Sequence, residues 1–186
     1  MVIHKIVGAF SLLGSIYEAV VNLFTASSTI RTLTYTLTRP ADTTAYAAGD
    51  VIANATSEAT LPELTAAKAA GAGIKIDNLR VQINNTLWAG TRLRIHIYRD
   101  SVTALNDNAA FTMLQSNADK RVGFIDVTLA TAEGGATDSV AGINLYDKIS
   151  LSTVANKLYF IPQILDAKTP ISGQVFKIQF GVIQTA

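Results

Sequence analysis

The sequence predicts an all-β sandwich or barrel preceded by an amino-terminal helical arm, and three observations carry that prediction. From Ile30 to the carboxyl end, short runs alternate apolar and polar residues with the period of two that a half-buried strand requires. Clusters of Gly, Asn, Asp and Pro separate those runs at short intervals, the spacing of a sandwich or barrel. Residues 6 to 26 repeat their apolar side chains every three or four positions instead, which is the period of a helix. The expected division is therefore an arm and hinge over residues 1–29 and a β-domain over residues 30–186.

In the arm, Ile6, Phe10, Leu13, Tyr17, Val20 and Phe24 fall on one helical stripe, while Gly8, Ser11, Ser15, Glu18, Asn22 and Thr25 fall on another. A two-faced helix of this kind packs along one side, and about 20 residues of it would reach ~30 Å. A transmembrane span is barely long enough here and would place Glu18 in hydrocarbon, at a cost of about 2.5–3.5 kcal/mol. A signal peptide would use His4 and Lys5 before the apolar run and small residues at Ala26, Ser27 and Ser28. A packed or partner-seeking arm is the preferred reading, with membrane or secretory use and an ordinary core helix as alternatives.

After a hinge at Thr25 to Thr29, Ile30 to Thr38 sets Leu33, Tyr35 and Leu37 against threonines and reads as a strand, which Arg39-Pro40 ends. Tyr46 to Gly49 reads as a turn, with Asp50-Val51-Ile52 starting a short strand. Thr60-Leu61-Pro62-Glu63 has the form of a capping box, so residues 57 to 73 are either a short helix stopped at Gly71-Ala72-Gly73 or an ordered loop. Alternation resumes with Leu79, Val81 and Ile83 inward and Arg80 and Gln82 outward, and Asn84-Asn85 marks a turn. The clearest strand places Leu93, Ile95 and Ile97 inward and Arg92, Arg94, His96 and Tyr98 outward; a slip of one residue would bury two arginines. Further strands are expected at 123–129, 148–153, 157–165 and 174–183, the last turning Phe176, Ile178, Phe180 and Val182 inward. Pro162 has no donor for a ladder, which demotes its strand to an edge or marks a bulge.

At 186 residues the chain fits one domain burying about 70% of its unfolded surface. It has no cysteine, which excludes disulfides, thiolate metal sites and a cysteine nucleophile. A formal net charge of +1 is far from the basic field that neutralises phosphates, so nucleic acid is not an expected partner. Residues 74–99 nevertheless hold Lys75, Arg80, Arg92, Arg94 and Arg99 against Asp77, a balance of +4, and residues 40–73 hold Asp42, Asp50, Glu58 and Glu63 against Lys68, a balance of −3. The two segments are read either as complementary contact patches or as a solvated mixed surface.

Catalytic and metal motifs are not found. The two histidines, His4 and His96, form no HExxH and no helical pair, and His96 reads first as a surface strand residue. There is no Gly-x-Ser-x-Gly elbow and no glycine-rich phosphate loop. Asp100, Asp107, Asp119 and Asp126 fit no EF-hand spacing and read as turn formers. Asn54-Ala55-Thr56 and Asn84-Asn85-Thr86 fit the glycosylation pattern, which would mean nothing if the protein were made in bacteria. The expectation is a protein without enzymatic activity, cofactor or metal.

Two strings carry a family resemblance: Thr38-Arg39-Pro40-Ala41-Asp42-Thr43-Thr44-Ala45-Tyr46-Ala47-Ala48-Gly49-Asp50-Val51-Ile52, and Ile95-His96-Ile97-Tyr98 followed by Thr103-Ala104-Leu105-Asn106-Asp107-Asn108-Ala109-Ala110-Phe111. A third, weaker match is the closing Thr169-Pro170-Ile171-Ser172-Gly173-Gln174-Val175-Phe176-Lys177-Ile178. With these strings the chain resembles tailed-bacteriophage virion proteins of the capsid cement or head-decoration kind, over residues 30 to 184. The resemblance implies an eight-stranded jelly roll, with an immunoglobulin-like sandwich as the alternative. It also implies a place on the capsid surface, the major capsid protein as partner and a homo-oligomer, a dimer or trimer.

On that reading the contact residues are the arm stripe of Ile6, Phe10, Leu13, Tyr17, Val20 and Phe24, and the outward face of Arg92, Arg94 and Tyr98, whose arginine forks suit carboxylates. Trp88 beside Leu87 is either an interface anchor or a core tryptophan. A receptor- or carbohydrate-binding module is the competing function, with Tyr46, Trp88 and Tyr98 as its aromatic platform; a membrane-anchored extracellular sandwich is the third.

Overall fold

The computed structural model describes residues 29–130 and 139–184. The strands are β1 (Thr29–Thr38), β2 (Glu63–Thr65), β3 (Gly73–Ile83), β4 (Arg92–Tyr98), β5 (Arg121–Thr128), β6 (Ser139–Ser152), β7 (Lys157–Ile164) and β8 (Val175–Gln184). They form two four-stranded sheets, ordered β1-β8-β3-β6 and β2-β7-β4-β5. The first strand pairs with the last, the second with the seventh, the third with the sixth and the fourth with the fifth, all antiparallel. That nesting is one long antiparallel ribbon rolled on itself, a jelly roll. Immunoglobulin-type sandwiches join several sequence-adjacent strands side by side. Here β4 and β5 are the one such pair among the described residues, and the immunoglobulin alternative is set aside. The sequence-predicted arm lies outside the described residues, apart from Thr29, which opens β1.

The alternation read from sequence builds the core. Leu33 and Leu37 of β1, Leu79, Val81 and Ile83 of β3, and Phe176, Ile178, Phe180 and Val182 of β8 are all buried against Leu93, Ile95 and Ile97 of β4. Each such side chain contributes about 1.5–3 kcal/mol when fully buried. Edge-to-face rings run through the layer, Tyr35 to Phe160 at 5.4 Å and Phe160 to Phe180 at 5.2 Å.

Three local expectations are corrected. The capping box at Thr60–Glu63 starts no helix: Glu63–Thr65 is β2, pairing with Lys157–Tyr159, and the Ala66 and Ala67 amides donate to Asn156 O. Alanine-rich helix propensity yields because both alanines are buried in the core, at 0% and 2% exposure. Asp50-Val51-Ile52 forms isolated bridges, to Ala110 and Gln163, and no strand. Pro162 lies on β7, an interior strand by sheet order, opposite Ile95 of β4. Phe160 N donates to Pro62 O and Ile164 N to Asp50 O, so this parity of β7 points away from β4. Pro162 shares that parity beyond the end of the three-residue β2, where its carbonyl accepts from Ile52 N and its missing donor costs no ladder bond.

The face of β4 opposite the core is also buried. His96 and Tyr98 are each 2% exposed, because the β1–β2 and β4–β5 connections lie across the β2-β7-β4-β5 sheet. Val51, Ala53 and Val102 from those connections pack on Tyr98, Tyr159 and Ile161 as a second apolar cluster. Outward direction was read correctly from the strand period; solvent exposure did not follow from it.

Candidate interaction surface

The strings that carry the family resemblance meet across the sheet. Arg39, directly after β1, is 2% exposed, and its Nε donates to the Tyr46 hydroxyl at 2.9 Å. Its other nitrogens donate to Asp42 O at 2.7 Å, Asp42 Oδ1 at 3.0 Å and Asp107 Oδ2 at 2.9 Å. The Tyr46 hydroxyl donates to Asp107 Oδ1 at 2.6 Å, and Ala53 N donates to the same oxygen at 2.9 Å. Both side chains of the Arg39–Asp107 pair have 0% exposure. Burial and the Asp107 carboxylate push the Tyr46 phenol well above its ordinary range, which keeps it a donor. Burial opposes the Arg39 charge, yet Tyr46 and Asp107 hold its pKa raised overall.

The same two connections are sewn together by backbone. Val51 N donates to Ala109 O, Asn108 N to Val51 O and Phe111 N to Gly49 O. Asn108 takes φ 61°, a left-handed conformation that asparagine tolerates. The amide orientation that satisfies both ends of its side chain has the nitrogen donating to Asp50 Oδ2 at 3.0 Å and Ala45 O at 3.1 Å. Asp107, read from sequence as a turn former, is thus the acceptor that closes the network. Nothing in the strand or turn periodicity marks it; the signal was its presence with Arg39 and Tyr46 in the quoted strings.

His96 lies under this cover. Gln163 Nε2 donates to Gly49 O at 2.9 Å, which leaves Gln163 Oε1 to accept from His96 Nε2 at 3.0 Å. The imidazole is therefore neutral with its proton on Nε2, and Nδ1 is buried with no hydrogen-bond partner. Its ring stacks on Phe111 at 3.9 Å with 4° between planes. Burial, with the charges of Arg121 and Arg94 adding, lowers its pKa from 6.5 to about 4.

The sequence-predicted contact residues separate into three groups. The arm stripe of Ile6, Phe10, Leu13, Tyr17, Val20 and Phe24 lies outside the described residues. Trp88 and Tyr98 are buried: of the two readings of Trp88 the core one holds, and Tyr98, expected on an outward docking face, lies in the second apolar cluster. Asn85 Oδ1 caps the Thr86–Trp88 turn by accepting from Leu87 N, which turns Trp88 inward, where its Nε1 donates to Gln174 Oε1 and its ring meets Phe176 at 5.0 Å. Arg92 and Arg94 do reach the surface, with side-chain exposures of 58% and 31%.

The forks of those two arginines are already engaged within the chain. Arg94 holds Asp126 through Nε at 2.7 Å and a second nitrogen at 2.8 Å, and Arg92 holds Asp166 at 2.7 and 3.1 Å. Hydrogen bonds from Arg94 and Arg92 lower the pKa of Asp126 and Asp166 respectively. Of the positive balance expected over residues 74–99, these two charges are therefore neutralised locally. What sequence reading missed is Phe124 on β5, 46% exposed, with the Arg94 guanidinium 4.0 Å from its ring centre and Arg121 at 5.2 Å. Met113 and Leu114 are exposed at 42% and 53% on the connection leading to the same strand. The residues of β5 that face away from the core, Phe124, Asp126 and Thr128, line a sheet edge with no strand beyond it among those described.

Among the described residues no group of three or more His, Asp or Glu could hold a metal ion, and no helix is long and apolar enough to cross a membrane.

No protein-family model matches the sequence, and no curated protein matches it. Solved structures with a similar course include the capsid of Ralstonia phage GP4, at 13% identity, 86% of each chain covered and a TM-score of 0.42. The PRD1 vertex protein P5 is similar at 14% identity, covering 83% of this chain and 97% of that one, with a TM-score of 0.35. A lipoprotein from Bacteroides thetaiotaomicron is similar at 10% identity, with 84% of each chain covered and a TM-score of 0.36. At these identities and scores the three likenesses assign neither a family nor a function.

Proposed function

We propose that this chain is a non-enzymatic virion structural protein that binds the outside of a phage capsid and bridges neighbouring major-capsid subunits. The observation that carries the reading is the meeting of the two strings that resemble capsid cement proteins. Arg39, Tyr46 and Asp107 from those strings build one buried network on a jelly roll, and the Asn108 backbone joins the same two connections through Val51 O. The network fixes the connections on one sheet, so the domain offers a rigid outer surface to a shell.

Binding of this kind stabilises by mass action: a protein that binds only assembled subunits lowers the free energy of the assembly. Repeated equivalent copies multiply a modest contact through effective concentration. The arm, with Ile6, Phe10, Leu13, Tyr17, Val20 and Phe24 on one stripe, supplies the apolar contact to a neighbour. Arg92, Arg94 and Phe124 supply the domain's own contribution from the β4–β5 edge. The carbohydrate-binding alternative loses its platform, since Tyr46, Trp88 and Tyr98 are each no more than 2% exposed.

The test is co-sedimentation of the intact chain, and of a chain lacking residues 1–28, with purified shells stripped of minor proteins. Saturable binding that weakens without the arm is the expected result. Failure of the intact chain to sediment with shells removes the capsid reading.

A further inference from the structure

We infer that two copies of this chain pair through β1, edge to edge and antiparallel, across a two-fold axis at Thr34. The sheet that holds β1 then continues into the same sheet of the second copy, as β6-β3-β8-β1 followed by β1-β8-β3-β6. Among the described strands, sheet order leaves four edges, β1, β6, β2 and β5. Natural edges are blunted by shortness, bulges, proline or charges, which keep other chains from pairing there. β2 is three residues long, and the ladders that hold β5 and β6 each carry a register shift. β1 is left open: its ten residues pair with β8 without a break, and they include no glycine, no proline and a single charge, Arg31.

The direction of the free backbone groups follows from one bond. Arg39 N donates to Gln174 O at 3.0 Å in continuation of the β1–β8 register, so the odd-numbered residues of β1 turn their amides towards β8. Ile30, Thr32, Thr34, Thr36 and Thr38 therefore aim their N–H and C=O groups at the open side. All five residues are exposed, Ile30 at 76%.

An extended, alternating run is needed to fill such an edge. The sequence before Thr29 carries the three- and four-residue period of a helix, and residues 131–138 hold two adjacent glycines and no apolar side chain larger than alanine. The run that fits is β1 of another copy. An axis at Thr34 sets Thr34 opposite itself, Thr32 opposite Thr36 and Ile30 opposite Thr38, so all five residues pair within β1. Moving the axis to Leu33 leaves Thr38 without a partner in β1, and moving it to Tyr35 leaves Ile30 without one. In the Thr34 register Arg31 lies opposite Leu37, roughly 20 Å along the strands from the other Arg31, so the two charges are screened from each other. Threonine pairs across the strands add to the contact. The sheet involved is not the one that holds Phe124, so this pairing is independent of the β4–β5 contact proposed for a shell.

The test uses the full chain, free of capsid, in sedimentation velocity. A dimer is expected, and Thr34→Lys, which sets two like charges opposite each other at the axis, should weaken it at least tenfold with far-UV circular dichroism unchanged. The chain has no cysteine, so disulfide trapping reads the register directly. Thr34→Cys places two thiols across a hydrogen-bonded pair, at a Cα separation of about 5.5 Å that a disulfide spans. Thr36→Cys places them roughly 14 Å apart along the strands. Mild oxidation should therefore link Thr34→Cys chains at least tenfold more than Thr36→Cys chains. A monomeric wild type, a dimer indifferent to Thr34→Lys, or equal trapping at the two positions would each overturn the assignment.

Discussion

Acidification tests the site most directly, because His96 is a buried histidine whose proton has nowhere favourable to go. Its pKa is about 4 in the folded chain against an ordinary 6.5, with burial as the leading cause. Arg94 and Arg121 face it and oppose a further positive charge; Asp126 favours one, and Gln163 holds Nε2. With the folded value below the unfolded one, the unfolded chain binds more protons throughout the interval between them. Stability from this residue is therefore fully present above 6.5, falls as pH drops through the window, and is lost below about 4. The gap corresponds to about 3 kcal/mol at 1.36 kcal/mol for each unit, and the ring's 2% exposure leaves little solvent to screen it.

The assay is equilibrium urea unfolding of wild type and His96→Gln at steps across that window. His96→Gln starts less stable, since its amide does not reproduce the stack on Phe111, but it should lack the histidine's pH slope. The wild-type minus variant difference cancels His4 and every carboxylate, and Asp126 and Asp166 titrate lower still, because their arginine partners depress them. A difference that shrinks by about 3 kcal/mol from neutral pH to pH 4 is expected. A difference that stays flat would refute the reading of His96 as a buried neutral ring.

Two further predictions concern the buried groups. Arg39→Met should destabilise the domain by about 3–5 kcal/mol, because it strands the Asp107 carboxylate at 0% exposure; Arg39→Met with Asp107→Leu should cost clearly less than the two single changes summed, as urea midpoints would show. Trp88→Ala should cost about 3–5 kcal/mol through the cavity it leaves against Phe176 and the loss of the donor to Gln174, and a thermal shift within error of wild type would return Trp88 to the surface.

The inward faces of β1, β3, β4 and β8 were legible from alternation alone, because an antiparallel sandwich buries every second residue. The order of the strands was not, since no local pattern states that β1 pairs with β8 across 145 residues of sequence, as Thr34 does with Gln179. β2 was missed because three residues are too few to show a period, and the alanines after it, Ala66 and Ala67 among them, favour a helix until the core claims those two. Trp88 was undecidable from sequence: the Asn85 cap that turns it inward is a two-residue feature with no periodic signature. The network of Arg39, Tyr46 and Asp107 spans a sequence separation of 68, and single-sequence reading offers no physical signal for such a pair.

The burial of His96 and Tyr98 relocates the surface that a partner would meet. Alternation on β4 decides which side chains leave the main core, and the two connections then convert that face into a second apolar layer. Once β4 is covered, the nearest outward face of the same sheet belongs to β5, its edge. There Phe124 keeps one ring face against the Arg94 guanidinium at 4.0 Å, while Arg94 is itself held by Asp126. An aromatic ring fixed in this way loses little side-chain entropy on binding, which is the property that favours aromatic residues at interfaces. On the proposed shell-binding reading, Phe124 rather than the Arg94 fork is the group that meets a partner, because Asp126 already fills that fork and Arg94 holds the ring in place.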